Sequence, residues 1–122
     1  MELNREGVGA GPVIKGFSGR GFRVGETVYA DGLLLTPTVA QSWAPPHELS
    51  VEALGAIIDV DPAPEFLLLG TGASLVWPPA SFVRALEQAG LGIEVMDSRA
   101  AARAWGVLRA EQRWICAALM PL

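Results

Sequence analysis

The sequence predicts a single α/β domain, with helices alternating with buried strands in its later part and antiparallel hairpins attached to one side or edge. Three observations predict it. The runs Leu33-Leu34-Leu35 and Phe66-Leu67-Leu68-Leu69 have the length of buried strands, and the second is the near-continuous apolar pattern of a strand covered on both faces. Helix-period segments with their own start and stop signals follow. Turn dipeptides punctuate the first third at hairpin spacing. With 122 residues the chain holds one core and is too short for two.

Residues 1–12, with glycine at 7, 9 and 11, read as an irregular lead-in to a domain over 13–122. Short β-like pieces follow at 13–17, 22–24 and 27–29, and Gly25-Glu26 between the last two offers the positive φ of a tight hairpin turn. Asp31-Gly32 marks a second turn before a strand over 33–36 that stops at Pro37. Ser50 is placed to cap a short helix reaching about Ile58, with Glu52 complementing its dipole and Val51, Leu54, Ile57 and Ile58 as its apolar stripe. Asp61-Pro62-Ala63-Pro64 breaks the chain ahead of the strand 65–69. Pro78-Pro79 opens a helix lined by Phe82, Val83, Leu86 and Ala89, and Gly90 ends it. A strand over 93–96 leads to a helix capped by Asp97 or Ser98, with Ala101, Ala104, Trp105 and Leu108 facing inward. An apolar strand over 114–119 closes the chain.

The chain is 51% hydrophobic and 18% charged, with a mean hydropathy of +0.35. That is enough apolar surface to offset the entropy of ordering, so global disorder is excluded. No apolar run approaches the ~20 residues that span a bilayer, and no membrane span is expected. Met1 to Glu6 is charged and carries neither a hydrophobic signal segment nor an arginine-rich transit helix. Cys116 is the only cysteine, which excludes an internal disulfide and a multi-cysteine zinc site. Together these features predict a cytoplasmic protein. Net charge is −4 and Lys15 is the only lysine, so nucleic-acid binding is not expected. A chain this apolar can self-associate, and a homodimer is an expectation for light scattering to check.

Gly70-Thr71-Gly72 follows a buried strand, where open α/β sheets bind ligands, and successive amides in such a turn can hold an anion. It lacks the third glycine of a dinucleotide fingerprint and the Gly-Lys-Ser/Thr of a P-loop. A tight turn passing close to neighbouring backbone is the competing and weightier role. Asp97, between a strand and a helix, is placed either to bind a ligand or to cap the helix, and capping explains it more simply. Thr71, Ser74 and Asp97 gathered together would favour the ligand role. His47 reads as an exposed loop residue, Asp59, Asp61 and Glu65 as a solvated turn, and Cys116 as inert packing. No catalytic residue, metal site or cofactor is expected. Of four tryptophans, Trp43 beside Ala44-Pro45-Pro46 and Trp77 beside Pro78-Pro79 fall on segments expected at the surface, where tryptophan anchors protein partners.

Several motifs carry a resemblance. They are Gly21-Phe22-Arg23-Val24, Leu33-Leu34-Leu35-Thr36-Pro37, Phe66 to Gly72, Trp77-Pro78-Pro79, Gly92-Ile93-Glu94-Val95-Met96-Asp97-Ser98 and Arg103 to Leu119. In that order, from about residue 13 to the end, the chain resembles the NADH:ubiquinone oxidoreductase complex assembly factor 3 family, whose bacterial and archaeal relatives are catalogued as a domain of unknown function. Ser98 stands where the family carries Thr, and Trp105-Gly106 where it carries a Tyr-Asn-type pair. The resemblance implies a three-layer arrangement around a central mixed β-sheet flanked by helices, with an added N-terminal β-hairpin region. It also implies an assembly role without a recognised enzymatic activity.

Two functions follow as expectations. The first is a non-enzymatic interaction protein, an assembly or scaffolding factor with a protein partner at Trp43, Trp77, Pro78 and Pro79. The alternative is a small-ligand or anion-binding domain, or an unrecognised enzyme, built on Gly70, Thr71, Gly72, Ser74 and Asp97. A pocket beside Gly72 and Asp97 is what distinguishes the second.

Overall fold

Leu67, Leu68 and Leu69 alternate between two separate cores, and that alternation sets the architecture. The computed structural model describes residues 11–122. In chain order they form β1 (Ile14–Ser18), β2 (Gly21–Val24), β3 (Thr27–Tyr29), β4 (Leu33–Leu35), β5 (Ala40–Ser42), a 3₁₀ segment (Glu52–Asp59), β6 (Phe66–Gly70), α1 (Ala80–Gln88), β7 (Gly92–Met96), α2 (Ser98–Ala110) and β8 (Cys116–Leu119). A five-stranded sheet has the order β5-β4-β8-β6-β7, and a three-stranded sheet the order β1-β2-β3. β6 runs parallel to both β7 and β8, whereas β4 pairs antiparallel with β5 and β8, so the main sheet is mixed.

The layers follow from the connections. β6-α1-β7 steps one way across the sheet, and β7-α2-β8 steps back past β6. Crossovers between parallel strands keep one hand, so the two helices land on opposite faces. On one face Leu67, Leu69, Cys116 and Ala118 meet Phe82 and Leu86 of α1, with Leu54 and Ile57 of the 3₁₀ segment. On the other, Leu68, Ala117 and Leu119 meet Ala101, Ala102 and Trp105 of α2, with Phe22 of the small sheet. The three-layer arrangement around a mixed sheet, with hairpins added at the N-terminal side, is therefore the observed fold.

Local structure departs from the sequence reading at three places. The segment after Ser50 is a 3₁₀ helix rather than an α-helix, because Gly55 breaks it at φ 62° and ψ −144°. Val51, not Ser50, takes the cap position, although the Ser50 hydroxyl accepts the Ala53 amide at 3.2 Å. β5 is an additional strand, polar and short, held by its register with β4. The first helix begins at Ala80 with Pro79 at the cap position. As expected, Gly90 stops it with φ 85°.

Glu65 fastens the start of β6 to the approach to β8. Its carboxylate accepts from Arg113 Nε at 2.8 Å and from the Trp114 amide at 3.1 Å. The hydrogen bond from Arg113, followed by that from the Trp114 backbone, holds the Glu65 carboxyl below its ordinary 4.5. A folded-state pKa below the unfolded value contributes stability at higher pH and loses it as pH falls through the folded-state value. The Tm difference between the native chain and Glu65→Gln should therefore be constant near neutrality and close below pH 4.5. A series of thermal melts across pH measures it, and a difference independent of pH would contradict the assignment. Both side chains are partly exposed, so the gap at neutral pH should be small.

Candidate functional site

Adjacent strands β6 and β7 send the chain to opposite faces of the sheet. The crevice between their carboxyl ends is thus the place where an open α/β sheet would hold a ligand. In this chain that crevice is closed by hydrogen bonds. The Thr71 amide donates to the Met96 carbonyl at 2.9 Å, and the Ser98 amide donates to the Gly72 carbonyl at 2.9 Å, which extends the pairing beyond both strands. Ser98, fully buried, accepts the Gly72 amide at 2.8 Å and donates its own hydroxyl proton to the Met120 carbonyl at 2.7 Å. One side chain thereby joins the ends of three neighbouring segments.

The two glycines are explained by this closure. A Cβ on Gly70 would lie 2.8 Å from both Ser98 Oγ and Leu119 Cδ2, so only glycine allows the approach. Gly72 has φ +101°, a conformation that other residues rarely adopt. The amides of Thr71 and Gly72 both donate within the fold, so an anion at this turn would have to displace protein acceptors. Asp97 caps α2, its Oδ1 accepting the Ala100 amide at 2.9 Å. Ser74 contributes its carbonyl, which accepts the Thr71 hydroxyl at 2.7 Å. That hydroxyl also accepts the Val76 amide at 3.0 Å, so Thr71 fixes the loop that follows it.

What this loop carries is apolar. Leu75, Val76 and Trp77 are 50%, 59% and 72% exposed, and Pro79 is exposed beside them. Val76, Trp77 and Pro79 border a cleft of about 410 Å³ that Pro46, His47, Leu49, Thr71, Pro78 and Met120 also line, with Leu75 outside it. So the turn and the Trp-Pro segment belong to one end of the molecule: Thr71 touches the cleft, whereas Gly72 and Asp97 do not line it.

Trp43 requires a correction, because it is not a surface residue. It is 6% exposed and packs with Leu54, Ile57 and Leu86, and its indole N–H donates to the Ala53 carbonyl at 3.0 Å. The prolines after it turn the chain at the surface while the ring itself points inward. The bridging role of Ser98 and the cleft residues Pro46, Leu49 and Met120 were missed by the sequence reading. Asp97 and Ser98 compete as caps in sequence; once Asp97 takes that task, the Ser98 hydroxyl is available for another partner. Leu75 and Val76 gave a signal of their own, as apolar residues between a glycine turn and a Pro-Pro pair.

The remaining polar candidates stay apart. His47 is exposed in the loop that walls the cleft, and Asp59, Asp61 and Glu65 are exposed. Among the described residues no three of His, Cys, Asp and Glu gather as metal ligands would. Cys116 is buried, and desolvation pushes its thiol up to about 12, away from any thiolate chemistry near neutral pH. Among the described residues no helix is long and apolar enough to cross a membrane.

Comparison with known proteins bears on this arrangement as a whole. Residues 14–120 match the family described as "Protein of unknown function (DUF498/DUF598)". The chain is 33% identical over 123 residues to NADH dehydrogenase (ubiquinone) 1 alpha subcomplex assembly factor 3 of Danio rerio, covering 99% of this chain and 71% of that protein. It is 34% identical over 110 residues to an uncharacterised protein of Rhodobacter capsulatus, covering 89% of this chain and 84% of that one. A crystal structure from Bordetella parapertussis superposes with TM-score 0.79 at 28% identity, covering 91% of this chain and 96% of that one. The solution structure of a Bordetella pertussis protein described as an Mth938-like domain gives 0.78 at 26% identity, covering 99% and 92%. Over nearly its whole length, then, the chain belongs to the DUF498/DUF598 family and is a relative of NADH:ubiquinone oxidoreductase complex assembly factor 3.

Proposed function

We propose that this protein is a non-enzymatic interaction factor of the assembly or scaffolding kind, and that it docks a protein partner through residues 75–79 and the adjoining cleft. The observation that carries the reading is the exposure of Trp77, 72% of whose surface meets solvent on a loop fixed at its base by Thr71. A large aromatic ring exposed to water gains when a partner covers it, and a loop whose backbone is already hydrogen-bonded loses less conformational entropy on binding. Similarity to an assembly factor supports the same role, since assembly requires reversible contacts with other proteins. The lone buried Cys116 suits a reducing cytoplasm, where no disulfide partner is needed.

Trp77→Ala separates this role from a structural one. The ring packs against little of the core, so stability should change by less than about 0.5 kcal/mol. Recovery of partners from the native host under mild conditions should nevertheless fall sharply. Unchanged recovery with Trp77→Ala would count against the loop as the docking site.

A small-ligand reading rests on the same cleft, since Thr71, His47 and Met120 all line it. Its 410 Å³ is within the range of small-molecule sites. A screen for ligands that raise Tm, repeated with Thr71→Val, tests that alternative apart from partner binding.

A further inference from the structure

We propose that the groove between β1 and α2 is a docking site for an acidic, extended protein segment. The groove has a volume of about 280 Å³ and is lined by Lys15, Gly16, Phe17, Arg103 and Gly106, among others. Several local choices that local stability does not explain lie in it or, like Arg99 over the Phe17 ring, beside it.

Lys15, the only lysine in the chain, is the extra residue of a β-bulge: Ile14 pairs with Val24 and Gly16 with Arg23, leaving Lys15 between them. A bulge re-aims a side chain that a regular strand would place elsewhere. Arg99 lies in the first turn of α2, which carries no acidic residue. That is the end of a helix where a cation is disfavoured. Its guanidinium is held 4.8 Å from the centroid of the Phe17 ring, which packs edge-on against buried Phe22 at 6.0 Å. Arg103 follows one turn later on the same face, a spacing at which like charges repel.

The glycines add an independent observation. Gly106 is inside α2 and Gly16 inside β1, and neither has a positive φ. A Cβ at either position would meet nothing within 4 Å. Glycine inside a helix or strand is less stable than alanine, so neither conformation nor crowding accounts for them. What they do is leave the groove open.

Among the described residues, Lys15, Arg99 and Arg103 form no ion pair with a carboxylate. Three such cations gathered on a chain of net charge −4 make a local positive field that an acidic segment complements. Among the described residues β1 pairs on one side only, with β2, and an extended chain can pair with the other side. A nucleic acid fits less well, because only three cations are present, Arg99 covers one face of the Phe17 ring, and the rest of the chain repels a long polyanion. The groove involves neither Trp77 nor its cleft, so its failure would leave the proposed function standing.

Fluorescence anisotropy of the full chain with labelled octaglutamate, at roughly 50 mM salt to limit screening, tests the proposal. The expected result is saturable binding that weakens at least ~10-fold in Arg99→Glu/Arg103→Glu and is unaffected by Arg84→Glu on α1. Gly106→Leu should weaken binding too, while Tm stays the same or rises because the helix gains a better helix former. No binding of octaglutamate at low salt would overturn the proposal. So would equal loss with Arg84→Glu, undiminished binding by the double variant, or tighter binding of polyphosphate or an oligonucleotide at the same residues.

Discussion

Ser98→Ala should destabilise the protein by roughly 2–4 kcal/mol although it removes a single oxygen. The hydroxyl satisfies two backbone groups at once, the buried Gly72 amide and the part-buried Met120 carbonyl. Alanine leaves both without that partner; an orphaned buried group costs about 1–3 kcal/mol, which applies in full to the Gly72 amide and in part to the Met120 carbonyl. Ser98 is fully buried, so replacement by solvent is not available without opening the sheet end. Ser98→Thr keeps the hydroxyl and should recover most of the loss, limited by the crowding that Gly70 relieves beside Ser98. Urea titration gives the stability, and hydrogen exchange at Gly72 reports the bond itself. A change below about 0.5 kcal/mol, with Gly72 still protected, would mean the closure does not depend on Ser98.

Trp105→Ala should cost more, on the order of 3–5 kcal/mol. Trp105 is 1% exposed and packs α2 against Leu68, Ala117 and Leu119 of the sheet, close to Phe22 of the small sheet. Its indole N–H also donates to the Pro12 carbonyl at 3.1 Å, linking the start of the described chain to the helix. Small domains hold only about 5–15 kcal/mol in total, so this variant should melt far lower or fail to fold at 37 °C. Trp105→Phe retains most of the ring and should recover part of the stability without the link to Pro12. A loss below about 1 kcal/mol for the alanine variant would contradict the packing described.

The central strands and the second helix were legible because their signals are local. Leu67-Leu68-Leu69 is apolar at every position, which only a strand buried on both faces needs. Asp97 and Gly90 are terminus residues whose chemistry works within one helical turn. β5 was not legible, because Ala40-Gln41-Ser42 has no strand pattern and is held by pairing with β4. Nor was the burial of Trp43, since its acceptor on Ala53 and its packing neighbours lie beyond the prolines that mark its segment as surface. The glycine turn was legible as a special position but not as a closed one. Its partner Ser98 is 26 residues away from Gly72, and no spacing rule places a helix residue beside a turn in another connection.

The same contrast separates the two ends of the candidate site. At Gly70 and Gly72 the backbone donors are engaged and the glycines answer to packing and conformation. At residues 75–79 the apolar side chains are exposed and the loop is fixed from beneath. The sheet end is shut by its own hydrogen bonds and the exposed Trp77 ring stands beside it, and on this contrast rests the proposal that the loop docks a protein partner.

Site-specific photo-cross-linking in the native host tests that claim most directly. A photoreactive residue at position 77, compared with one at the exposed Glu94 on the edge strand β7, reports which surface meets a partner. The expected result is a discrete, reproducible protein adduct from position 77 and none from position 94. No adduct at 77, or the same adduct from both positions, would contradict it.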